Sequence, residues 1–380
     1  MVKSFQRNLK LRIVCISISF LITSCHVGRF VAYNAAGIND YKKFPQRTID
    51  NDTSIFKFYE NAYKQKTLTE LNSIKNNFED YLSNHGTVAF IIIQNDTVKY
   101  EQYFNNYNRS SIVSSFSIAK SLTSLLIGCA IDDGLIKSTE EYVVKYIPEL
   151  SDRNFENVTI EHLLQMTSGL KSKESYYNPF GDAAQLYYGK DLRKFISKLR
   201  TKSDPGESYN YVSGNTQLLG LVLERALNGK SVSQYLEEKL WKNLGMEYDA
   251  SWSIDRKENG LEKTFCCVNA RAIDYAKIGR LVLNKGNWNG NQIISADWVS
   301  RSVKRDHSNG SSRNYQYQWY TPYPNGDFMA RGILGQYLFI SPSKSLIIVR
   351  LGEKEGNGSW LGLFEMIRNH YWSFGGWINR

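Results

Sequence analysis

Between Ser117 and Ile131 the chain reads Ser-Ile-Ala-Lys-Ser-Leu-Thr-Ser-Leu-Leu-Ile-Gly-Cys-Ala-Ile, apolar on nearly every side except for one lysine near its start. A helix that is hydrophobic all round belongs in a core, so the rest of the chain must build layers around this segment. Ile118, Ala119, Leu122, Leu125, Leu126, Cys129 and Ala130 suit a buried helix. Ser114 and Ser115 supply capping side chains before it, and Asp133-Gly134 stops it. A lysine among such neighbours is costly unless it does chemistry.

Ser117 and Lys120 stand at i and i+3, which on a helix puts hydroxyl and amine on one face. A serine hydroxyl is a weak nucleophile until a base takes its proton, and a lysine serves as that base once burial lowers its pKa. The start of the helix adds backbone N–H groups and a partial positive charge for a developing oxyanion. Ser-x-x-Lys alone recurs by chance in a chain rich in both residues; its place at the head of an apolar helix sets this copy apart. Ser121 has no lysine three residues after it. A second element is the loop from Pro205 to Asn215, which carries Tyr211 and enters an apolar helix expected at Gln217–Leu227. Tyr211 is expected to approach Ser117 from the side opposite the helix, with Lys120 favouring its phenolate and the pair relaying a proton to the leaving group.

Around this centre, Leu68, Leu71, Ile74, Phe78, Tyr81 and Leu82 predict one amphipathic helix, and Thr87–Ile93 and Val98–Phe104 predict two strands joined by a turn at Gln94-Asn95-Asp96. Residues 159–250 read as mostly helical, with segments at Thr159–Met166, Leu192–Leu199 and Val232–Leu244. Ala270–Leu283 follows as a further helix, then strand signals at Gln316–Thr321, Phe328–Ala330, Tyr337–Ser341 and Leu346–Leu351, and a closing helix at Trp360–Trp372. Strands at both ends with helices between them predict an α+β fold in which distant ends share one antiparallel sheet. With 25 Tyr, 18 Phe and 8 Trp against 7 Pro, the chain reads as packed structure and not as linker.

The formal charge is +10, yet four of the positives, Lys3, Arg7, Lys10 and Arg12, lie in the first twelve residues. The others are interspersed with acids, a pattern of solvated surface and not of a nucleic-acid groove. After that basic start, Ile13–Ile22 is apolar but too short to span a bilayer, and it reads as a secretory leader. Leu21-Ile22-Thr23-Ser24-Cys25 resembles a lipobox, so Cys25 is the expected lipidation site and the membrane an expected partner. Export as a lipoprotein of the bacterial envelope follows, with His26 after the cysteine pointing to the periplasmic side of the outer membrane. The expected plan is a signal peptide at 1–25, a tether and arm at 26–66, and a catalytic domain at 67–380 with a helical insertion at about 140–270. The remaining Cys129, Cys266 and Cys267 do not make a disulfide framework, and the adjacent pair is expected to be buried and unbridged. Nothing in the sequence calls for a metal or another cofactor.

Several segments together resemble the serine β-lactamase and penicillin-binding superfamily, on its class C β-lactamase, DD-peptidase and esterase side and within it the 6-aminohexanoate-dimer hydrolase group. They are Ser117-Ile-Ala-Lys120, Ile160–Leu170, Tyr211–Gly220, Leu244-Gly-Met246 and Ala270–Gly279. The resemblance implies a β-lactamase/DD-peptidase-like domain with a cleft against the helical insertion. It implies a serine hydrolase in which Ser117 is acylated by an ester, amide or peptide, Lys120 and Tyr211 move protons, and water clears the acyl-enzyme. It further implies an oxyanion hole from the backbone N–H groups of Ser117 and Gln336, with room made by Gly335, and substrate contacts from Ser213, Asn215 and Arg331.

Two departures from the family pattern bear on substrate. Ser213 stands where the Tyr-x-Asn motif has asparagine, with Asn215 two residues on; and Ile333 stands where the strand motif opens with Lys or His, so that Arg331 is the nearest substitute cation. A Ser-His-Asp triad is disfavoured, because no Gly-x-Ser-x-Gly elbow exists and His26, His85, His162, His307 and His370 lack a nucleophile context. The other reading is a non-catalytic envelope lipoprotein that binds penicillin or peptidoglycan in the same cleft; Ile333 favours it, and the retained Ser117, Lys120 and Tyr211 oppose it. Small-molecule or peptide acyl compounds are the expected substrates.

Overall fold

The computed structural model describes residues 26–33, 35–60, 64–308 and 310–372. Helix α1 (His26–Tyr33) and strand β1 (Gln46–Ile49) lead to β2 (Tyr59–Glu60) and to helices α2 (Lys64–Ile74) and α3 (Phe78–Asn84). The apolar period predicts α2 and α3 as one helix. They are divided at Asn77, whose φ of 51° is a left-handed conformation that a helix interior excludes and asparagine tolerates. Strands β3 (Thr87–Gln94) and β4 (Thr97–Tyr103) form the expected hairpin. Positive φ at both Asn95 and Asp96 gives the tight turn whose twist matches the paired strands.

After β5 (Val113–Ser114) comes the central helix α4 (Ile118–Asp132), buried along almost its whole length. The helical middle contains α5 (Ile160–Leu164), α6 (Asp182–Tyr188), α7 (Leu192–Ile196), α8 (Ser213–Ala226) and α9 (Val232–Leu236). Strands β6 (Ala250–Ser253) and β7 (Val268–Ala270) precede helix α10 (Ala272–Leu283), the small hairpin β8 (Asn287–Trp288) and β9 (Asn291–Gln292), and helix α11 (Ala296–Val303). The chain closes with β10 (Tyr315–Gln316), β11 (Trp319–Tyr320), β12 (Phe328–Gly332), β13 (Gln336–Ser341), β14 (Leu346–Gly352) and α12 (Trp360–Trp372).

The main sheet has eight strands in the order β10-β11-β12-β13-β14-β3-β4-β2, antiparallel except at the β2/β4 edge. Its centre pairs the two ends of the chain, with Ile91 opposite Val349 and Ile93 opposite Ile347, so the architecture is the α+β plan expected. Because β3 is covered on both faces it is apolar at nearly every position. Ile91 and Ile93 face the large core that holds α4 and α10, whereas Phe90 and Ile92 pack with Phe78 and Phe364 in a second cluster under α3 and α12. Gly279 lets α10 lie flush on the sheet, since a Cβ there would come within 2.9 Å of both Ile347 and Leu338.

A second sheet, in the order β1-β6-β7-β5, is not legible as such in the sequence, because its strands are two to four residues long. It draws part of the 26–66 segment into the fold. Helix α1 likewise packs on α6, with the Phe30 and Tyr188 rings 5.4 Å apart. The leader and Cys25 lie outside the described residues. Cys266 and Cys267 correct another expectation: they are joined as a disulfide, with Cα atoms 3.7 Å apart. Cys267 has a φ of 69°, which turns the chain there so that two consecutive side chains meet, as they do not in a regular strand or helix.

Candidate active site

The head of α4 carries Ser117, the expected nucleophile. Phe116 before it has a φ of 44°, a left-handed turn that costs a bulky residue about 1–3 kcal/mol and is held by the surrounding packing. Ser117 occupies the N-cap position, yet its side chain caps no backbone N–H. Instead its Oγ accepts a hydrogen bond from Lys120 Nζ at 3.0 Å. Ser114 and Ser115, expected as caps, lie at the end of β5 and just beyond it.

Lys120 is fully buried and donates also to Ser213 Oγ at 3.1 Å and to the Phe265 carbonyl at 2.8 Å. Burial pulls its pKa down to about 8, against the opposing pull of the Glu174 carboxylate. The lysine is therefore poised to exist partly as the free amine close to neutral pH.

Tyr211 precedes α8, which begins at Ser213 and not at Gln217 as the apolar pattern suggests. It lines the same cleft as Ser117, and Lys120 Nζ stands 5.3 Å from its ring centroid. The ring packs edge-on against Tyr315 and beside Tyr320. The expected phenolate is not favoured: burial, reinforced by the neighbouring tyrosines, pushes the Tyr211 pKa well above its usual value. Desolvation outweighs the pull of a lysine that is itself held close to neutrality.

Ser213 links this centre to a residue the sequence reading missed. Its Oγ accepts from Lys120 and donates to Glu174 Oε1 at 2.6 Å, while its backbone N–H donates to Glu174 Oε2 at 2.8 Å. Tyr176 Oη also donates to Glu174, at 2.9 Å. Hydroxyl and carboxylate replace the acceptor side of an asparagine amide but not its donor, since the one hydroxyl proton is given to Glu174. The only sequence trace of Glu174 is an acid beside the Tyr176-Tyr177 pair, in the polar loop after Thr167-Ser168-Gly169.

These groups open into a cleft of about 660 Å³ lined by Ser117, Tyr211, Ser213, Glu174, Arg331 and Ile333 among others. Three of the expected site residues are placed differently. Asn215 is buried away from the cleft, where its Oδ1 accepts from the Ser168 hydroxyl and its Nδ2 contacts Met166 Sδ. Gln336 lies past a turn at residues 333–335, paired with Gly332, and its side-chain amide is spent on the Ile333 and Gly352 carbonyls. Gly335 makes room for Arg350, whose Nη1 would sit 1.6 Å from an added Cβ, and not for substrate. The residue pressed against Ser117 is Gly332: a Cβ there would lie 3.0 Å from Ser117 N and 2.6 Å from the Ser115 carbonyl oxygen. Ile333 follows it into the cleft. Arg331 does reach the cleft, but it is paired with Glu355 at 3.2 Å, and Glu355 lines the same cleft. His162 completes a capping box with Thr159 at the start of α5, a structural role.

Comparisons with known proteins place the family and the fold. A profile of the Beta-lactamase family matches residues 74–365. The chain is 27% identical over 301 residues to the 6-aminohexanoate-dimer hydrolase of Paenarthrobacter ureafaciens, covering 72% of this chain and 74% of that protein. Among solved structures, a candidate 6-aminohexanoate-dimer hydrolase from Bacillus anthracis superposes with a TM-score of 0.75 at 23% identity, over 89% of this chain and 92% of the other. A family VIII carboxylesterase superposes with a TM-score of 0.62 at 18% identity, over 82% of this chain and 98% of the other.

Proposed function

Since this chain belongs to the beta-lactamase family and is a serine hydrolase acting on amide or ester bonds, we propose that it turns over uncharged esters or linear amides through an acyl-enzyme on Ser117. The observation that carries this reading is the bond from Lys120 Nζ to Ser117 Oγ, made by a lysine whose pKa is lowered to about 8. The free amine of Lys120 takes the Ser117 proton as Oγ attacks the carbonyl carbon. Tyr211, a neutral phenol in the same cleft as Ser117, gives its proton to the departing oxygen or nitrogen and is reprotonated from Lys120. Water then attacks the acyl carbon and Ser117 leaves as the alcohol.

In this reading the oxyanion is held by the backbone N–H groups of Ser117 and Ile333, because Gly332 brings the end of β12 against the head of α4. The preference for uncharged substrates rests on charge: Arg331 is matched by Glu355, Glu174 adds a second acid, and Ile333 supplies no cation. The protein is proposed to be exported and lipid-anchored through Cys25, on the strength of the basic start, the short apolar run and the lipobox-like Leu21–Cys25.

The test is Ser117→Ala with a fluorophosphonate probe and a panel of nitrophenyl esters and short linear amides. Wild type takes one adduct on Ser117, and the variant takes none and loses several orders of magnitude in turnover with its melting unchanged. A folded wild type that forms no adduct returns the cleft to the binding-protein reading.

A further inference from the structure

The rim of the cleft is where the chain leaves toward its expected lipid anchor. Residue 25 is joined by one peptide bond to His26, the first residue of α1. The His26 ring lies beside the Pro179 backbone carbonyl. Pro179 belongs to the loop that runs from Glu174, beside Ser213, to the start of α6. On that loop Tyr177 is 93% exposed and Phe180 73% exposed, and Tyr176 is exposed at the cleft wall. Val31, on the outward side of α1, is 70% exposed. Apart from Tyr59 on the β2 edge, the large apolar side chains more than 60% exposed among the described residues, Val31, Tyr177 and Phe180, gather on the two segments that flank the cleft mouth.

Phe30, Ala35 and Ala36 from the arm and Ala183 and Ala184 from α6 form an apolar wall running inward from that mouth. Lys171 and Lys173, both exposed, precede Glu174 in the same loop and suit anionic headgroups. Tyrosine at an apolar–polar boundary, with a few apolar neighbours and flanking cations, is the chemistry of an interfacial contact.

We propose that this rim docks on the bilayer leaflet that holds the Cys25 lipid, so that the cleft opens toward the membrane and takes esters or amides with an acyl chain dissolved in that leaflet. The proposal rests on the lipid-anchor reading of Cys25. With no spacer between anchor and fold, the acyl chains at residue 25 hold His26, and through Pro179 the loop, at headgroup depth. Val31 and Phe180 then leave water for the interface, and a chain-bearing substrate reaches Ser117 along the apolar wall without crossing water.

The test uses the full chain, isolated from membranes and reconstituted into vesicles of phosphatidylethanolamine and phosphatidylglycerol. Two substrates are compared, water-soluble nitrophenyl acetate and nitrophenyl decanoate dissolved in the bilayer. Val31→Ser with Phe180→Ser is expected to keep acetate turnover within about twofold, which also reports an intact fold, and to lower decanoate turnover in vesicles by about tenfold. Unchanged decanoate turnover, or an equal loss on both substrates, overturns the docking surface. Labelling cells with an alkyne fatty acid tests the anchor separately: wild type takes the label and Cys25→Ser does not. An unlabelled wild type removes the anchor reading, and with it the leaflet named here, whatever the double variant does.

Discussion

Ser213 Oγ stands between Lys120 Nζ and Glu174 Oε1, accepting from the first at 3.1 Å and donating to the second at 2.6 Å. The carboxylate is thereby held near Lys120, where its charge favours the ammonium form and opposes desolvation. Glu174→Gln removes that charge, so the Lys120 pKa falls further below about 8. The rising limb of kcat/KM against pH, which follows the free amine, should move to lower pH on a neutral ester. A limb that stays in place or moves upward would show that Glu174 does not set the lysine.

Tyr211 gives a second, independent signature. Its pKa is raised well above that of ordinary tyrosine by burial and by Tyr320 and Tyr315, so the phenol keeps its proton across the assay range. Wild-type rate should therefore level off above the Lys120 limb and not climb again toward pH 10. Tyr211→Phe should lower the plateau by about 10²–10⁴ while leaving the midpoint of the limb in place. A plateau of wild-type height in the variant would remove Tyr211 from proton transfer.

The pairing of Arg331 with Glu355 makes a prediction about substrate charge. Wild type should favour neutral esters and amides over penicillins or D-Ala-D-Ala peptides, whose carboxylate lies next to the scissile bond. Ile333→Lys adds a cation inside the cleft. The ratio of kcat/KM for a carboxylate-bearing substrate to that for its neutral ester should rise about tenfold, since a partly buried ion pair is worth about 1.4 kcal/mol or more. Efficient penicillin turnover by wild type would contradict the charge argument.

What could be read from sequence follows the range of the interactions. Ser117 and Lys120 meet within one helical turn, and the apolar run around them marks the helix as buried, so their chemistry is local and legible. The same holds for the Asn95-Asp96 hairpin and for the alternating cover of β3. Glu174 is different: it meets Ser213 across 39 residues of chain, through a loop without regular structure. The misplacement of Gln336 and Gly335 has a comparable cause. A strand and a three-residue turn share the residues Gly332 to Gln336, and only the pairing of Gly332 with Gln336 shows which of them faces Ser117. The Cys266–Cys267 bridge depends on the positive φ of Cys267, which no residue type there announces.

Gly332 and Gly335, three residues apart on one hairpin, separate catalysis from stability. Gly332 keeps an ordinary φ, so alanine suits its backbone, but the methyl group would press on Ser117 N and the Ser115 carbonyl oxygen. Moving the head of α4 by a few tenths of an ångström misaligns the donors aimed at the oxyanion. Gly332→Ala should therefore lose about 10²-fold in kcat per titrated active site, with a stability cost of about 1–3 kcal/mol. Gly335→Ala meets Arg350 instead, at a φ of 80° that alanine resists, so it should lower the urea midpoint more while leaving kcat per folded site within a few-fold of wild type. Active-site titration with a fluorophosphonate beside urea melts distinguishes the two. If Gly332→Ala retains wild-type kcat per titrated site, the end of β12 does not form the oxyanion hole, and the second donor must be sought elsewhere along the cleft.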